Sequence, residues 1–415
     1  MKVALLNHSD IDGGAARAAY RIHQALLLQG VDSRMYVNKA FAGDRTVEGP
    51  ANRWGKAMAM LRPFVGGAFN RLLATDNPVL HSPAILPSGW VKRINGSDTD
   101  VVHLHWVNDE MLSVRNIGSL CKPVVWTLHD MWAFCGAEHY TEDFRWREGY
   151  TRSNRPAHES GFDLNRWTWQ RKLKHWKRPM HIITPSNWLA DCVRQSALMH
   201  NWPMTVIPNA INIHVWKPCD STLARQLLNL PPDVPLLLFG AMYGAVDPRK
   251  GFDLLKAALG HLRGQIPGLE LVVFGQLTPQ DSDDLGFPIH YMGHLHDDVS
   301  LILLYSAANA MVIPSRQDNL PNTGVESFAC GTPVVGFRVC GLPDIVEHQK
   351  TGYLANAFDT IDLASGLQWV LEDPARNASL GKAARVRALR LWSDEVVAPQ
   401  YLDVYQRALT CRSNT

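Results

Sequence analysis

Two doubly wound α/β halves of about equal size, each built on a parallel sheet, are the fold class this sequence predicts. The chain has 415 residues, which suggests roughly two or three domains of ~150 to 200 residues rather than one ordinary core. Short β-branched runs alternate with amphipathic stretches of helical period, as βαβ construction requires. The alternation also restarts once, after a loop near residue 210.

In the first half the strand-like runs are KVALLN (2–7), SRMYVN (33–38), DVVHLHW (100–106), PVVWTLH (123–129), HIITPS (181–186) and MTVIPN (204–209). In the second they are VPLLLFGA (234–241), LELVVFG (269–275), IHYMGH (289–294), AMVIPS (310–315) and PVVGFR (333–338). Residues 363–409 have helical period and are expected to break at Pro374 and Pro399. The expected organisation is a domain over 1–210, a second over 211–392 and a last helix in 393–415 packing back toward the first, with a cleft between the domains. There is no internal repeat or low-complexity tract.

Composition narrows the function classes. Apolar residues make up 46% and charged residues 19%, and 41 Lys+Arg against 39 Asp+Glu leave a net charge of +2, so bulk charge does not support nucleic-acid binding. Seven scattered cysteines with no CxxC pair suggest reduced thiols in a cytosolic protein, not a disulfide framework or zinc knuckle. The opening MKVALLNHSD reads as a first strand rather than a signal peptide. No apolar run approaches the ~18 to 20 residues that span a bilayer, so the expectation is a soluble chain, at most peripheral to a membrane.

Ligands of open parallel sheets bind beyond the carboxyl ends of the strands. After the first strand, Gly13 and Gly14 stand at the mouth of a helix, where a ligand can approach backbone N–H groups and the positive end of the helix dipole; a plain tight turn is the alternative. After VPLLLFGA, with Gly240 at the strand end, Arg249 and Lys250 precede Gly251 and a helical run. Two cations there oppose the macrodipole unless an anion lies between them, and a nucleotide diphosphate would fit; two solvated surface cations are the alternative. In PSRQDNLPNTGVESFACGTPVV (314–335), Asp318 lies before a helix and Glu326 within its first turns. Asn319, Asn322 and Thr323 fill the loop, and Gly324 could bring backbone amides against a phosphate. The stretch reads as a nucleotide-sugar cradle, or otherwise as a helix start capped by Asp318 or Asn322.

Residues 314–335 resemble the signature of the retaining glycosyltransferases of family 4 (GT4), in which a pair of acids eight positions apart precedes GTPVV. Together with DPRKGFDLL (247–255), VIPNAI (206–211) and TGYL (351–354), the resemblance covers nearly the whole chain. It is nearest to exopolysaccharide and O-antigen enzymes of the colanic-acid type, through QDNLPNT (317–323) and LHDMWAF (128–134). It implies the GT-B fold, two Rossmann-like domains, and transfer of a hexose from a nucleotide-diphosphate sugar to a glycan or lipid-diphosphate-linked saccharide. Retention of configuration, independence of metal and cofactors, and a place in bacterial surface polysaccharide synthesis are also implied. The location would be cytoplasmic, with peripheral contact at the inner membrane.

Carried over by position, Glu326 holds the donor ribose and Asp318 contacts the transferred sugar. Asp318 is one methylene shorter than the usual glutamate, a difference in reach of about 1.5 Å. Lys250 matches the phosphate lysine, and Asn209 falls in VIPNAI on the donor side. The arginine expected two residues after the strand glycine is missing, with Ala241 near that place, and Arg249 is the candidate substitute. The leaving diphosphate would be stabilised by Lys250, Arg249 and amide dipoles near Gly14 and Gly324. His129 matches a histidine near the transferred sugar, and Asp130 beside it could orient the imidazole. A structural histidine at a strand end is the alternative reading. His103 and His105 share a strand face, suggesting a buried hydrogen-bonded pair; no third residue completes a metal site.

Two segments bear on the acceptor. Residues 53–73 are apolar, with Arg53, Lys56, Arg62 and Arg71 and no acid, as an interfacial helix would be. Between Arg145 and Arg178, ten Lys/Arg face three acids with four Trp interleaved, which suits either a lipid-diphosphate contact or a helix pair with core Trp and solvated cations. Three other functions share parts of this pattern: a non-catalytic nucleotide-sugar-binding protein, a sugar-nucleotide epimerase of the same architecture, and a nicotinamide dehydrogenase. The last lacks the dinucleotide fingerprint in both first βα turns.

Overall fold

Strands of a parallel sheet are buried on both faces, so their sequences run apolar without alternation. Residues 236–240 (LLLFG), 270–274 (ELVVF) and 310–313 (AMVI) are of this kind. In a computed structural model that describes every residue except 241–246, 276–284, 296 and 414–415, and the backbone alone for 411–413, all of these runs are strands. The chain divides into two units, Met1–Pro208 with Val397–Thr415, and Asn209–Val396.

The first unit carries β1 (Lys2–Ser9), β2 (Asp32–Lys39), β3 (Val47–Glu48), β4 (Leu73–Ala74), β5 (Val101–Leu104), β6 (Val124–Thr127), β7 (Ser160–Gly161), β8 (His181–Thr184) and β9 (Met204–Val206). Seven of them form a parallel sheet in the order β3-β2-β1-β5-β6-β8-β9, while β4 and β7 make a small antiparallel ribbon. The second unit carries β10 (Leu236–Gly240), β11 (Glu270–Phe274), β12 (Ile289–Tyr291), β13 (Ala310–Ile313), β14 (Val334–Phe337) and β15 (Gly352–Ala355), a parallel sheet in the order β12-β11-β10-β13-β14-β15. In both sheets the order reverses beside the first strand of the unit, the doubly wound arrangement the sequence predicts. Alternate residues of the second sheet enter two separate cores: Leu236, Leu238, Met311 and Ile313 on one face, Leu237, Phe239, Ala310 and Val312 on the other.

Three expectations need correction. TGYL is a motif in the sequence but also the edge strand β15, and the two-residue β3 gives no sequence signal. Pro399 does not end a helix: the break falls at Ser393, and Pro399 lies inside the helix Asp394–Ser413. Ser393 is extended and bridges Ile211, whose N–H donates to the Trp392 carbonyl at 2.8 Å, while burial of Val397, Ala398, Tyr401 and Tyr405 holds the helix on past the proline. Third, two cations of the basic, Trp-rich stretch are interior. Trp146 and Trp176 are in the core, the Arg145 guanidinium is buried against Asp163 and Glu159, and the Lys172 ammonium is buried against the carbonyls of Trp132, Cys135 and Gly136. The Trp residues were expected in the core, but these two cations are not solvated: each is matched by acceptors that make its burial tolerable.

Candidate functional site

In the second unit the candidate residues follow β10 and β13. Residues Pro248–Lys250 form one 3-10 turn whose first N–H groups are capped by Asp247, and Gly251 closes it with φ +67°, a conformation that favours glycine. A Cβ on Gly251 would lie 2.0 Å from the Pro314 carbonyl oxygen, so the turn rests directly on the chain leaving β13. Arg316 fastens the same contact. Its N–H donates to the Arg249 carbonyl at 2.7 Å, and its guanidinium reaches the Pro248 carbonyl at 3.0 Å and the Asp253 carboxylate at 2.6 and 2.7 Å. The Arg316 hydrogen bond holds the Asp253 carboxyl below its usual range.

This fastening brings together two residues 68 positions apart: Lys250 Nζ lies 2.6 Å from Asp318 Oδ2, with the side chains 25% and 13% exposed. Asp318 is held in turn from β14's far end, where the Gly341 N–H donates to its carbonyl at 3.1 Å. The guanidinium of Arg249 clasps Asp247, with Nη2 2.6 Å from Oδ2 and Nε 3.2 Å from Oδ1. The sequence suggests that an outside anion offsets these two cations, but the protein's own Asp247 and Asp318 already lie against them.

The helix Asn322–Ala329 starts beyond Pro321 with no side-chain cap, so the cap expected from Asp318 or Asn322 is not made. Asn322 Oδ1 instead accepts from Asn209 Nδ2 at 3.0 Å, and the other amide atom of Asn209, its Oδ1, is buried with no partner among the described residues. Thr323 is half-buried at the second helical position. Gly324 does not present its amide to a ligand: its N–H donates to the Pro321 carbonyl at 3.0 Å, and a Cβ there would lie 2.9 Å from Ile345 and 3.1 Å from Ile313. Close packing requires this glycine. Asn319 is buried, and Glu326 is buried with Oε2 accepting from the Tyr305 hydroxyl at 2.9 Å. Gly240 ends β10 beneath the Phe274 ring, which a Cβ would meet at 2.0 Å, so packing explains it too. Ala241 lies outside the described residues.

In the first unit, Gly13 (φ +101°) is the N-cap of the helix Gly14–Leu28 and, as a glycine, makes no side-chain cap. His129 follows β6 and shares a hydrogen bond with His105, Nε2 to Nδ1 at 3.1 Å. Asp130 does not orient it, contrary to expectation. Its carboxylate accepts from His139 Nδ1 at 2.6 Å, Trp106 Nε1 at 2.9 Å and the Trp132 N–H at 2.9 Å, and these donors hold its pKa down despite burial. His103 and His105 do share a face, but their rings pack, centroids 4.1 Å apart, without bonding each other. His103 joins the Thr127 hydroxyl at 2.8 Å and the Tyr405 hydroxyl at 2.7 Å.

The three imidazoles give a pH prediction. Burial pushes His129 down to about 4 and His103 to about 3, with His105 lowered as well. A histidine lowered in the fold takes up its proton more readily when unfolded, so stability declines as pH falls from about 6.5 toward 4. His129 alone accounts for roughly 2 kcal/mol by pH ~4.5. The thermal midpoint should therefore drop over this window, and less steeply in His103→Gln. Equal slopes in the two proteins would mean that the buried imidazoles do not carry the effect.

Sequence reasoning missed a polar group at the ends of β1 and β5. His8 is buried edge-on to Trp106, neither ring nitrogen makes a hydrogen bond among the described residues, and Nε2 lies 3.8 Å from Asp109 Oδ2. Asp109 and Glu110 both have positive φ, 51° and 59°, conformations that cost energy in residues other than glycine. The signal was available: NDE (108–110) interrupts apolar sequence immediately after a strand. Among the described residues, no three His, Cys, Asp or Glu side chains are grouped so as to hold a metal ion.

Comparison with known proteins assigns the family. Residues 12–215 match the model of Glycosyltransferase Family 4, and residues 224–387 match that of Glycosyl transferases group 1. The chain is similar to the D-inositol 3-phosphate glycosyltransferases of Segniliparus rotundus (30% identical over 214 residues, 49% of this chain and 47% of that protein) and Xylanimonas cellulosilytica (33% over 219 residues, 49% and 51%). It thus spans about half the length of these curated relatives. Among solved structures it resembles sucrose-phosphate synthase from Thermosynechococcus elongatus (TM-score 0.67, 20% identity, 99% of this chain and 100% of that one). It also resembles Anabaena HepE in complex with UDP and glucose (TM-score 0.64, 17% identity, 98% and 100%). At these identities the likeness is one of fold, the GT-B fold that the sequence resemblance implies. With one model matching most of the first unit and the other most of the second, the chain belongs to the family 4, group 1 glycosyltransferases.

Proposed function

We propose that the protein transfers a hexose from a nucleotide-diphosphate sugar to a glycan or lipid-diphosphate-linked saccharide, with retained anomeric configuration, in bacterial surface polysaccharide synthesis. The observation that carries this reading is the Lys250–Asp318 contact, placed between a turn after β10 and the start of a helix that buries Glu326. A lysine offers three donors, so one ammonium can hold a carboxylate and a phosphate oxygen together. Lys250 then receives the diphosphate, Asp318 a hydroxyl of the transferred sugar, and Glu326 the ribose. Asn209, Asn322 and the first amides of the helix Asn322–Ala329 complete the donor side, and Arg249 adds positive charge while holding the turn through Asp247. The complexes of HepE with UDP, glucose and UDP-glucose support a uridine nucleotide as the first donor to try.

During transfer the bond from the anomeric carbon to the diphosphate oxygen breaks and the bond to the acceptor oxygen forms on the same face. The acceptor's proton goes to the departing phosphate oxygen, so no protein base is required. Charge accumulates on the diphosphate, where Lys250 and the helix amides stabilise it, and the proposed reaction needs no metal. The helix start at Gly13 and Gly14 adds backbone amides on the donor side, and the group around His129 is the proposed contact near the transferred sugar on the acceptor side. An acceptor carried on a lipid would bring the protein to the cytoplasmic face of the inner membrane.

Nucleotide binding tests the reading. A ligand that binds only the native state raises apparent stability. UDP, GDP and ADP sugars should include one that raises the thermal midpoint of the wild-type chain but not of Glu326→Gln, which keeps an acceptor for the Tyr305 hydroxyl. Equal shifts in both proteins, or none in either, would remove the cradle. Conversion of the donor without an acceptor would indicate the epimerase alternative, and binding without turnover the non-catalytic one.

A further inference from the structure

The helix Arg53–Asn70 is apolar on its outside. Its buried residues are Ala59 and Gly66, whereas Trp54 is 81% exposed, Phe64 76% and Met60 67%, with Met58, Leu61, Val65 and Phe69 exposed as well. An ordinary surface helix does the reverse. At ~100° per residue, Trp54, Leu61 and Phe64 lie on the face opposite Ala59 and Gly66, so the large side chains point away from the unit. Polar clasps and close packing hold the inner face. Arg62 donates to the carbonyls of Glu110 at 2.6 Å, Leu86 at 3.0 Å and Pro87 at 2.9 Å, Asn70 donates to the His81 carbonyl at 2.6 Å, and Gly66 lies close on the Glu110 side chain. Asn52 caps the start by accepting from the Gly55 N–H at 2.7 Å.

We infer that this helix is a membrane-docking surface that lies in the interface of an anionic bilayer, apolar face down. Contiguous exposed apolar surface of this extent marks an interaction site, unlike single exposed residues. Charge selects the occupant. Arg53, Lys56 and Arg71 are exposed along the same segment, and no Asp or Glu occurs between residues 49 and 75. A second copy related by a two-fold axis would set these cations against their own equivalents. Anionic headgroups meet them favourably while the apolar side chains enter the acyl boundary. Among the described residues no helix is long and apolar enough to cross a membrane, so the helix lies along the surface. The inference extends the reading of a lipid-carried acceptor by naming the surface that brings the protein to it.

The test is co-sedimentation of the full chain with vesicles of phosphatidylcholine alone and of phosphatidylcholine with roughly one-third phosphatidylglycerol. Strong binding is expected only to the anionic vesicles. It should fall at least ~10-fold in the double variant Trp54→Ser, Phe64→Ser and weaken in Arg53→Gln, Lys56→Gln, with nucleotide-induced stabilisation unchanged in both. Equal binding by wild type and the Trp54, Phe64 variant would overturn the inference. So would lipid-free self-association that those substitutions abolish, since the face would then belong to a second copy. Because nucleotide stabilisation is read separately, failure here leaves the donor reading standing, and the reverse also holds.

Discussion

Replacing Lys250 with alanine should lower sugar transfer by about two to three orders of magnitude while moving the thermal midpoint little. A partly exposed ion pair contributes about 1 kcal/mol or less to stability, whereas removing one preorganised charge from the developing negative charge of a leaving group costs roughly 10²- to 10³-fold in rate. The geometry adds a second effect. Without Lys250, the Asp318 carboxylate 2.6 Å away is left facing the incoming diphosphate, so donor binding should weaken as well. Steady-state kinetics of Lys250→Ala, Asp318→Asn and the double variant separate the two. The double variant should recover donor affinity relative to Lys250→Ala but not the maximal rate. A Lys250→Ala protein with a near wild-type rate would show that the ammonium only anchors Asp318.

The fold was legible where burial on both faces leaves an uninterrupted apolar run. Sheet runs such as 236–239 and 310–313 advertise themselves because each residue belongs to one core or the other. Edge strands do not: β3 has two half-buried residues, and the glycine opening β15 hides its strand character inside a motif. Pro399 misled because proline propensity is local, while the helix through it is fixed by aromatic residues buried beyond it, Tyr401 and Tyr405 among them.

The candidate site was legible as a set of positions, since chemistry follows strand ends, and not as a set of contacts. Spacing could nominate Lys250 and Asp318 separately but could not show them touching across 68 residues. Nor could it show that Arg249 has its own carboxylate in Asp247 two positions earlier, or that Asp130 serves His139 rather than its neighbour His129. Side-chain direction decides each of these, and one strand residue or loop dihedral reverses it. Glycines were the least decipherable. Gly324 looks like room for a phosphate in the sequence, and the structure fills that room with Ile345 and Ile313, as Phe274 fills the space over Gly240.

Gly251 differs, a glycine whose absent side chain seats the Lys250 turn on the chain leaving β13, and Gly251→Ala should be strongly damaging. Its φ of +67° costs an alanine about 1 to 2 kcal/mol. The added Cβ would also stand 2.0 Å from the Pro314 carbonyl oxygen, a backbone atom at the end of β13 that cannot swing aside. The turn must therefore lift, and a displacement of ~1 Å in a positioning element can cost about 10²-fold in rate. The expected result is a transfer rate down about 100-fold and a native state less stable by about 3 kcal/mol, strain and displacement together. Gly260→Ala is the matched comparison. It lies in the helix that Gly251 precedes, a Cβ there meets nothing within 4 Å, and ordinary helical glycine-to-alanine exchange stabilises by roughly 0.5 to 1 kcal/mol. Calorimetry and kinetics on the two variants isolate the close approach from the loss of glycine as such. If Gly251→Ala matched Gly260→Ala in both, the seating of the turn on Pro314 could not be what holds Lys250 against Asp318.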